Sequence, residues 1–283
     1  MKSLLNRLSA LSHPQRMAIF RLLMRRYPDA LPAGEIAAVL DLKASTSSVY
    51  LAALTRVGLI RKERQGTSFK YSLDLHAAQS VVNEFFFNCC RGRPDLCPPG
   101  LLDPFGGSHA MTDKTYNVLF ICTGNSARSI FAEAILKDIA GDRFNAYSAG
   151  TKPYSELNPF AVEMLSDKGL DVSNLYVKNI SVFQADGAPK LDFVFTVCDR
   201  AANEDCPAWA GQPISAHWGL PDPVKAEGID AEKRFAFKET YGAMRNRCVA
   251  FSALPFDTLD RLGLQKMADE IGQTKETVWL PPQ

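Results

Sequence analysis

The chain has 283 residues, of which 46% are hydrophobic and 22% charged; this composition is typical of folded globular proteins and excludes a disordered or fibrous chain. Its formal net charge of +1 hides an asymmetry, because residues 1–110 carry 14 Lys/Arg and 8 Asp/Glu whereas residues 111–283 carry 18 and 23. The length suits two domains, and the charges favour a polyanionic partner for the first part of the chain and exclude one for the second.

The first 90 residues predict a helical module with a β-hairpin. Apolar spacing predicts a first helix along the stripe formed by Leu4, Leu5, Leu8 and Leu11, and a second helix after Ser12. Three more helices are predicted over 32–41, 45–57 and 76–90, and two short strands within 59–73. The Ser/Thr-rich start of helix 45–57 is expected to supply N-cap hydroxyls, and Gln65-Gly66 marks the turn between the strands. This order is typical of a mainly α winged helix-turn-helix domain whose helix 45–57 enters the major groove of DNA.

Two parts of this module are expected to face double-stranded DNA. The candidates are Thr46, Ser47, Ser48 and Tyr50 for base edges, and Arg64 and Gln65 on the hairpin for phosphates. The outer helices carry more apolar surface than one small domain needs, which predicts a homodimer on a palindromic operator. The alternative is a small helical protein-interaction domain with a solvated basic face.

A Pro- and Gly-rich segment then breaks the helical pattern and predicts a linker. We therefore expect a DNA-binding and dimerisation domain at 1–97, a linker at 98–115 and a second domain at 116–283. In the second domain, strands are predicted at 117–121, 144–148 and 191–197, and helices at 127–140, 157–169, 231–250 and 257–271. This alternation predicts an α/β domain with a parallel sheet.

The first strand of that domain ends at Cys122. Ligands in such sheets bind at the carboxyl ends of strands, and a helix N-terminus favours an anion. The residues expected to bind an oxyanion are Thr123, Gly124, Asn125, Ser126, Ala127, Arg128 and Ser129. The same positive field is expected to lower the pKa of Cys122 below about 8.5, and Ser129 to hydrogen-bond its thiolate. The alternative, a buried core cysteine, is disfavoured by the small residues that follow.

Seven cysteines, an odd number, are spread along the chain. No apolar run reaches the roughly 18 residues of a membrane span, and Asn6, Arg7 and His13 interrupt the apolar N-terminus, so no secretory signal is expected. We therefore expect a cytoplasmic protein that binds no membrane and whose cysteines are reduced and functional.

The segment from Ser48 to Leu54, followed by Val57-Gly58-Leu59-Ile60, resembles the recognition helix of arsenic-responsive, ArsR-type repressors. The resemblance covers roughly residues 1–100. Many members bind the inducer through cysteines in the helix before the recognition helix, and this chain has none there. A subset binds trivalent arsenic through a vicinal cysteine pair and a third cysteine close behind, which implies an arsenite (inducer) site at Cys89, Cys90 and Cys97. The alternative is a core Cys89 with two incidental neighbours.

The second domain resembles the arsenate reductases that are related to low-molecular-weight tyrosine phosphatases. Four motifs carry the resemblance: the Cys122 loop, Tyr147-Ser148-Ala149-Gly150-Thr151, the pair Cys198 and Cys206, and the string from Ala216 to Pro223. The resemblance covers about residues 115–275 and implies a four-stranded parallel sheet. It also implies catalytic roles: Cys122 attacks arsenate, Arg128 holds it, Asp222 is the acid, and Cys198 and Cys206 are the resolving thiols.

An external dithiol such as thioredoxin, or glutaredoxin with glutathione, would reset that relay, with no tightly bound cofactor. The phosphatases usually have proline after the loop serine, where this chain has Ile130. His217 and Trp218 are expected to be packing residues, and Cys248 to lie in the core.

These features together predict a bifunctional arsenic-resistance protein: an arsenite-responsive repressor fused to an arsenate reductase, so that the product of one half induces the other. Two alternatives remain open. One is a phosphatase fused to a DNA-binding regulator, and the other is a regulator whose second domain only senses oxyanions or redox state.

Overall fold

The computed structural model describes residues 2–66, 68–85, 114–204, 209 and 212–274. The chain divides into two compact units, Met1–Ser108 and His109–Gln283, each with its own hydrophobic core. The predicted linker falls outside the described residues except at 114 and 115, so the domain boundaries stay a prediction. Among the helices that are described, none combines the length and apolar character that crossing a bilayer would require.

The N-terminal unit is mainly helical, as predicted. Its elements in chain order are α1 (Lys2–Leu11), α2 (Pro14–Arg25), β1 (Leu31–Pro32), α3 (Ala33–Val39), α4 (Ala44–Arg56), β2 (Ile60–Gln65), β3 (Ser68–Leu73) and α5 (Leu75–Glu84). Its core contains Ile19 and Leu22 from α2 and Leu51 and Leu54 from α4, all fully buried. The α3–α4 pair followed by the β2–β3 hairpin confirms the winged helix-turn-helix fold class.

Three details of this unit differ from the sequence-based prediction. The sheet has three antiparallel strands in the order β1-β3-β2, whereas two strands were predicted, because β1 has two residues and is too short to show a pattern. The last helix was predicted over 76–90; α5 is described over Leu75–Glu84, and residues 86–90 lie outside the described part.

The third difference concerns the start of α4. The helix begins at Ala44, and its N-cap residue, Lys43, makes no side-chain cap hydrogen bond. The predicted hydroxyl cap is therefore wrong. The Ser48 hydroxyl instead donates to the carbonyl of Ala44, 2.9 Å away, a bond within the helix that serine commonly makes.

The C-terminal unit contains the predicted four-stranded parallel sheet, in the order β5-β4-β6-β7, with helices around it. Its elements are β4 (Tyr116–Cys122), α6 (Arg128–Ala140), β5 (Phe144–Gly150), α7 (Pro159–Asp167), β6 (Phe193–Thr196), α8 (Asp199–Asn203), β7 (Ile214–His217), α9 (Asp230–Ser252) and α10 (Arg261–Gly272), with short 3₁₀ helices at Ile180–Phe183 and Pro223–Lys225. The position of β7 was not predicted from the sequence. Strand β6 is equally short, but its sequence is an apolar run, whereas β7 contains a serine and a histidine.

The central strand β4 determines where the functional side chains lie. Its residues Val118 to Ile121 are fully buried, as expected for a strand covered on both faces of a parallel sheet. In the pairing with β6, Ile121 lies opposite Thr196. Cys122 at the end of β4 and Cys198, two residues after the end of β6, therefore lie at the same edge of the sheet.

The core behind this edge is aromatic, and Phe251 of α9 lies at its centre with no exposed surface. The rings within 5.0 to 5.7 Å of its ring, centroid to centroid, are those of Phe144, Phe193, Phe195, Trp218 and Phe256.

We expect Phe251→Ala to lower the free energy of unfolding of the C-terminal unit by about 3–5 kcal/mol, because a large cavity remains where the ring was. Urea denaturation followed by tryptophan fluorescence measures this unit, since all three tryptophans lie in it. Val249→Ala is the control: this side chain is on the same helix but 41% exposed, and its change should stay within about 0.5 kcal/mol. Equal losses in both variants would contradict the prediction.

Candidate active site and DNA-binding surface

The thiol of Cys122 lies at the end of β4, beneath the loop that leads into α6. The residue is only 3% exposed. Its Sγ accepts a hydrogen bond from the N–H of Asn125 at 3.1 Å and lies 3.0 Å from Oγ of Ser129. The predicted contact between Ser129 and the sulfur is confirmed.

Asn125 holds the loop in shape. Its backbone has a φ of 48°, a left-handed conformation that asparagine adopts more readily than most residues. Its Nδ2 donates to Oγ of Ser129 at 3.0 Å and to Oγ of Ser148 at 2.8 Å, and its Oδ1 accepts from the N–H of Lys178 at 2.6 Å. The side chain is fully buried, so these bonds satisfy its polar atoms without water.

A buried ion pair lies next to Asn125 and Ser148. Nζ of Lys178 lies 3.1 Å from Oε2 of Glu133, and the two side chains are 6% and 3% exposed. Ser148 donates its hydroxyl to the same carboxylate oxygen, and Lys137 pairs with the other at 2.6 Å. Burial lowers the pKa of Lys178, and the attraction of Glu133 opposes that change.

Hydrogen bonds therefore run from Glu133 through Ser148, Asn125 and Ser129 to the Cys122 sulfur. Sequence reasoning missed the two charged members of this network. One signal was available in the sequence: Glu133 is a single glutamate within the apolar pattern of α6. A carboxylate at such a position is expected to be buried, and a buried carboxylate needs a charged or hydrogen-bonding partner.

The expected lowering of the Cys122 pKa is wrong. Burial, followed by the nearby Cys198 thiol, raises the pKa of Cys122; the hydrogen bond from Ser129, the charge of Arg128 and the N–H of Asn125 act in the opposite direction. The positive groups were visible in the sequence, whereas the loss of hydration depends on what covers the sulfur.

Arg128 and Asp222 are brought together across the site. Nη2 of Arg128 lies 2.8 Å from Oδ2 of Asp222, with side chains 11% and 23% exposed, and Nη1 donates to the carbonyl of Leu220 at 3.0 Å. Oδ1 of Asp222 also accepts from the N–H of Val224 at 3.3 Å, at the start of the 3₁₀ helix. Asp222 is thus both a capping residue and an ion-pair partner.

A second buried thiol lies beside the loop. Cys198 follows β6 by two residues, is 1% exposed, and accepts a hydrogen bond from the N–H of Ala201 at 3.4 Å. Its Sγ lies 3.5 Å from Oγ1 of Thr123, the residue after Cys122. The remaining cysteines to which the sequence assigned a function, Cys89, Cys90, Cys97 and Cys206, lie outside the described residues.

The rest of the oxyanion loop is closely packed. Ser126 and Ala127 are buried, and the carbonyl of Ser126 accepts from the N–H of Asn158 at 3.1 Å. A Cβ on Gly124 would lie 2.5 Å from Cε2 of Tyr154, so glycine is needed for the Tyr154 ring to rest on the loop backbone.

Two further predictions about packing are confirmed. Trp218 is fully buried and stacks on Phe195 with ring centroids 4.0 Å apart. Cys248 is fully buried in α9, and burial raises the pKa of its thiol. Its sulfur therefore stays protonated, in accordance with a role in the core.

The recognition helix α4 exposes a different face from the predicted one. Ser47 is 1% exposed and lies on the inner face with Leu51 and Leu54, so its predicted DNA contact is wrong. Ser48 is exposed, whereas Thr46 and Tyr50 are half-buried. Val49, which the sequence analysis missed, is 65% exposed; counting three and four residues from the apolar positions would have identified this face.

On another side of the helix, the Tyr50 hydroxyl donates to Oε1 of Gln15 at 2.8 Å.

On the wing, Arg64 and Gln65 are exposed at the end of β2, as the DNA hypothesis requires. Nζ of Lys62 lies 3.8 Å from the centroid of the Phe69 ring, and that ring is 45% exposed. The wing therefore presents both cations and an aromatic face.

Two family models match this chain, one in each unit. A family model for the low molecular weight phosphotyrosine protein phosphatases matches residues 117–262, and a model for a helix-turn-helix domain matches residues 11–63. The chain therefore joins a helix-turn-helix domain to a phosphatase-like domain.

Several relatives of the second domain carry the name arsenate reductase. Those of Bacillus subtilis (strain 168) and Bacillus licheniformis are 36% and 37% identical, over 135 and 142 residues. The alignments cover 48% and 50% of this chain and 94% and 97% of those proteins. A solved structure described as "An arsenate reductase in oxidized state" aligns at 28% identity with a TM-score of 0.40, covering 47% of this chain and 94% of that one.

The raised pKa of Cys122 leads to a prediction about its reactivity. We expect alkylation of Cys122 by iodoacetamide to keep increasing with pH beyond about 8.5, the midpoint of a free cysteine, because the thiol stays protonated to higher pH. Ser129→Ala removes a hydrogen bond that favours the thiolate and should move the midpoint further up.

Mass spectrometry of the Cys122 peptide after timed labelling, from about pH 6 to about pH 10, measures both rates. Cys248 serves as the internal control and should stay unlabelled while the protein is folded. A midpoint for Cys122 below about 8.5 would restore the original expectation.

Proposed function

The chain belongs to the low-molecular-weight phosphotyrosine protein phosphatase family, and within it we propose an arsenate reductase fused to an arsenite-responsive DNA-binding repressor. The observation that carries the reductase is the second buried thiol: Cys198 lies against Thr123 of the loop that holds Cys122. Hydrolysis of a phosphate ester needs one nucleophilic thiol, whereas reduction of arsenate needs two electrons, which two thiols supply. The relatives named arsenate reductase support this choice.

The reaction begins with binding of arsenate as a tetrahedral oxyanion. The N–H groups of the loop and the guanidinium of Arg128 hold it. Because Arg128 pairs with Asp222 at 2.8 Å, arsenate competes with Asp222 for the guanidinium. Asp222, once displaced, takes up a proton and passes it to the departing oxygen.

The Cys122 sulfur then attacks arsenic. Its proton passes to an arsenate oxygen, an As–S bond replaces one As–O bond, and that oxygen leaves as water. Cys198 attacks the Cys122 sulfur next: an S–S bond forms, the As–S bond breaks and its electron pair stays with arsenic, while the Cys198 proton passes to an oxygen of the leaving arsenite. Arsenic(V) becomes arsenic(III), arsenite leaves, and two thiols are oxidised to one disulfide.

The disulfide then moves outward. Cys206 attacks the sulfur of Cys198, which forms a Cys198–Cys206 disulfide and releases Cys122, and the Cys122 sulfur takes up the proton that Cys206 loses. An external dithiol, thioredoxin or else glutaredoxin with glutathione, reduces that disulfide. The thiols carry all the electrons, so this cycle needs no resident cofactor, and reduced thiols fit a cytoplasmic location.

The N-terminal domain is proposed to be the arsenite-responsive repressor. Its exposed cations on the wing meet phosphates, and α4 enters the major groove. Outer helices α1 and α5 expose Leu5 (59%) and Val82 (50%), and Phe85 just after α5 is 47% exposed. These apolar side chains support a homodimer on a two-fold symmetric operator. Cys89, Cys90 and Cys97 bind arsenite as the inducer, since three thiolates suit a thiophilic centre.

The reductase is tested by NADPH oxidation with arsenate, thioredoxin and thioredoxin reductase. We expect turnover in the wild type and a loss of about a thousandfold or more in Cys198→Ser, because a hydroxyl cannot form the disulfide that releases arsenite. Cys248→Ala, which removes a thiol outside the relay, is the control and should keep activity within about twofold.

If thioredoxin gives no turnover, the assay is repeated with glutaredoxin and glutathione. Hydrolysis of p-nitrophenyl phosphate that persists in Cys198→Ser, without arsenate reduction by any donor, would overturn the reductase in favour of a phosphatase. Labelling of Cys122 without turnover of either substrate would favour a sensor of oxyanions or redox state.

The repressor is tested by gel shift on a duplex selected from random sequence by the full-length protein. Arsenite should weaken binding about tenfold or more in the wild type, and this response should disappear in the double variant Cys89→Ser/Cys90→Ser. Arg64→Ala is the control. It should weaken DNA binding but keep the arsenite response, because Arg64 is proposed to contact phosphate and takes no part in binding the inducer. Binding that arsenite leaves unchanged in the wild type would overturn the inducer assignment.

A further inference from the structure

His217 connects the end of β7 to the helix that follows Cys198. Its side chain is 2% exposed, and its Nε2 lies 3.1 Å from Oδ1 of Asp199, the first residue of α8. On the other side of the ring, Nδ1 lies 2.9 Å from Oγ1 of Thr196. Because the carboxylate only accepts, Nε2–H donates to Asp199, and Nδ1 accepts from the Thr196 hydroxyl.

Gly219 leaves room for this contact. A Cβ on Gly219 would lie 2.5 Å from Nε2 of His217 and 2.7 Å from Oδ1 of Asp199, closer than carbon atoms approach either. The loop that carries Asp222 toward Arg128 thus begins against the His217–Asp199 pair. A residue with a side chain at 219 would separate the two atoms.

The helix held in this way is short. Helix α8 has five residues, too few to be stable by its own hydrogen bonds. Beyond its last residue, Glu204 pairs with Lys152 at 3.4 Å, but the Lys152 side chain is 67% exposed, and exposed ion pairs contribute little. The contact with the buried imidazole therefore constrains the first turn more strongly than the exposed pair constrains the end.

We infer that His217 is a positioning residue for the reductase: through Asp199 it holds the first turn of α8, and with it the Cys198 thiol, beside Thr123 and Cys122. This inference rests on the proposed arsenate reduction. The step it assists is the attack of Cys198 on the Cys122 sulfur, in which an S–S bond forms, the As–S bond breaks and arsenic(V) takes the electron pair. A thiol held in place reacts faster than one on a loose segment.

Two substitutions of the same residue separate the two contacts. In His217→Gln the amide nitrogen occupies the place of Nε2 and keeps the bond to Asp199. In His217→Asn the amide oxygen occupies the place of Nδ1 and keeps only the hydrogen bond from Thr196. We expect iodoacetamide to label Cys198 about tenfold faster in His217→Asn than in the wild type, and within about twofold of the wild type in His217→Gln.

Arsenate turnover gives the second measurement. In His217→Asn, kcat should fall about tenfold while KM for arsenate stays within about twofold, because the oxyanion loop is untouched. Asp199→Ala breaks the same bond from a side chain that is 62% exposed, so it tests the inference even where a buried His217 variant fails to fold. Lys152→Ala is the matched control and should change neither measurement by more than about twofold.

Labelling of Cys198 at the wild-type rate in both Asp199→Ala and His217→Asn would overturn the inference. Equal effects of His217→Asn and His217→Gln would overturn it as well, because a general loss of packing would then explain both. The labelling measurement needs no arsenate, so faster labelling in a protein that reduces no arsenate would reject the proposed function while keeping the His217 contact.

Discussion

Parallel pairing of β4 with β6 is the constraint on which the site depends. Ile121 lies opposite Thr196, so the chain leaves both strands at the same edge of the sheet, with Cys122 one residue and Cys198 two residues further on. Residues Val118 to Ile121 of β4 are fully buried, as is usual for a strand covered on both faces of a parallel sheet. Two thiols that are 76 positions apart in the chain thereby share one environment, in which burial and their mutual proximity raise the pKa of Cys122.

The site also depends on the polar network of Glu133, Lys178, Ser148 and Asn125, which lies in the same apolar interior. Glu133 and Lys178 are costly to bury, and their pairing offsets that cost only because hydrogen bonds satisfy the remaining atoms. The carboxylate also accepts from Ser148, which in turn accepts from Asn125. What the ion pair stabilises is thus the left-handed turn at Asn125, and through it the position of the donors around the sulfur. Removing Glu133 would leave Lys178 buried without its ion-pair partner, which typically costs about 3–5 kcal/mol.

Sequence reasoning succeeded where a feature was local and failed where it depended on burial or on distant partners. The positions of Cys122 at a strand end and of Arg128 at a helix start were predicted correctly, because strand end, loop and helix start are contiguous. Glu133 and Lys178 are 45 positions apart and belong to no motif, so nothing local joined them. Ser47 was misassigned because its polar side chain was taken for a surface residue, although it lies four and seven residues before Leu51 and Leu54, on the same buried face of α4. The pKa of Cys122 was misjudged because the sequence shows charges but not hydration.

The ion pair across the site bears on which ligands the loop accepts. Both nitrogens of the Arg128 fork are engaged, one by Asp222 and the other by the carbonyl of Leu220. A ligand that takes either of these two N–H groups must replace an existing hydrogen bond, and the one to Asp222 is charge-assisted. A tetrahedral oxyanion with two charged oxygens can match both nitrogens of the fork, whereas a neutral ligand cannot. In the proposed reaction, the oxyanion would displace Asp222 from Arg128, and the freed carboxyl group would serve as the acid for the departing oxygen.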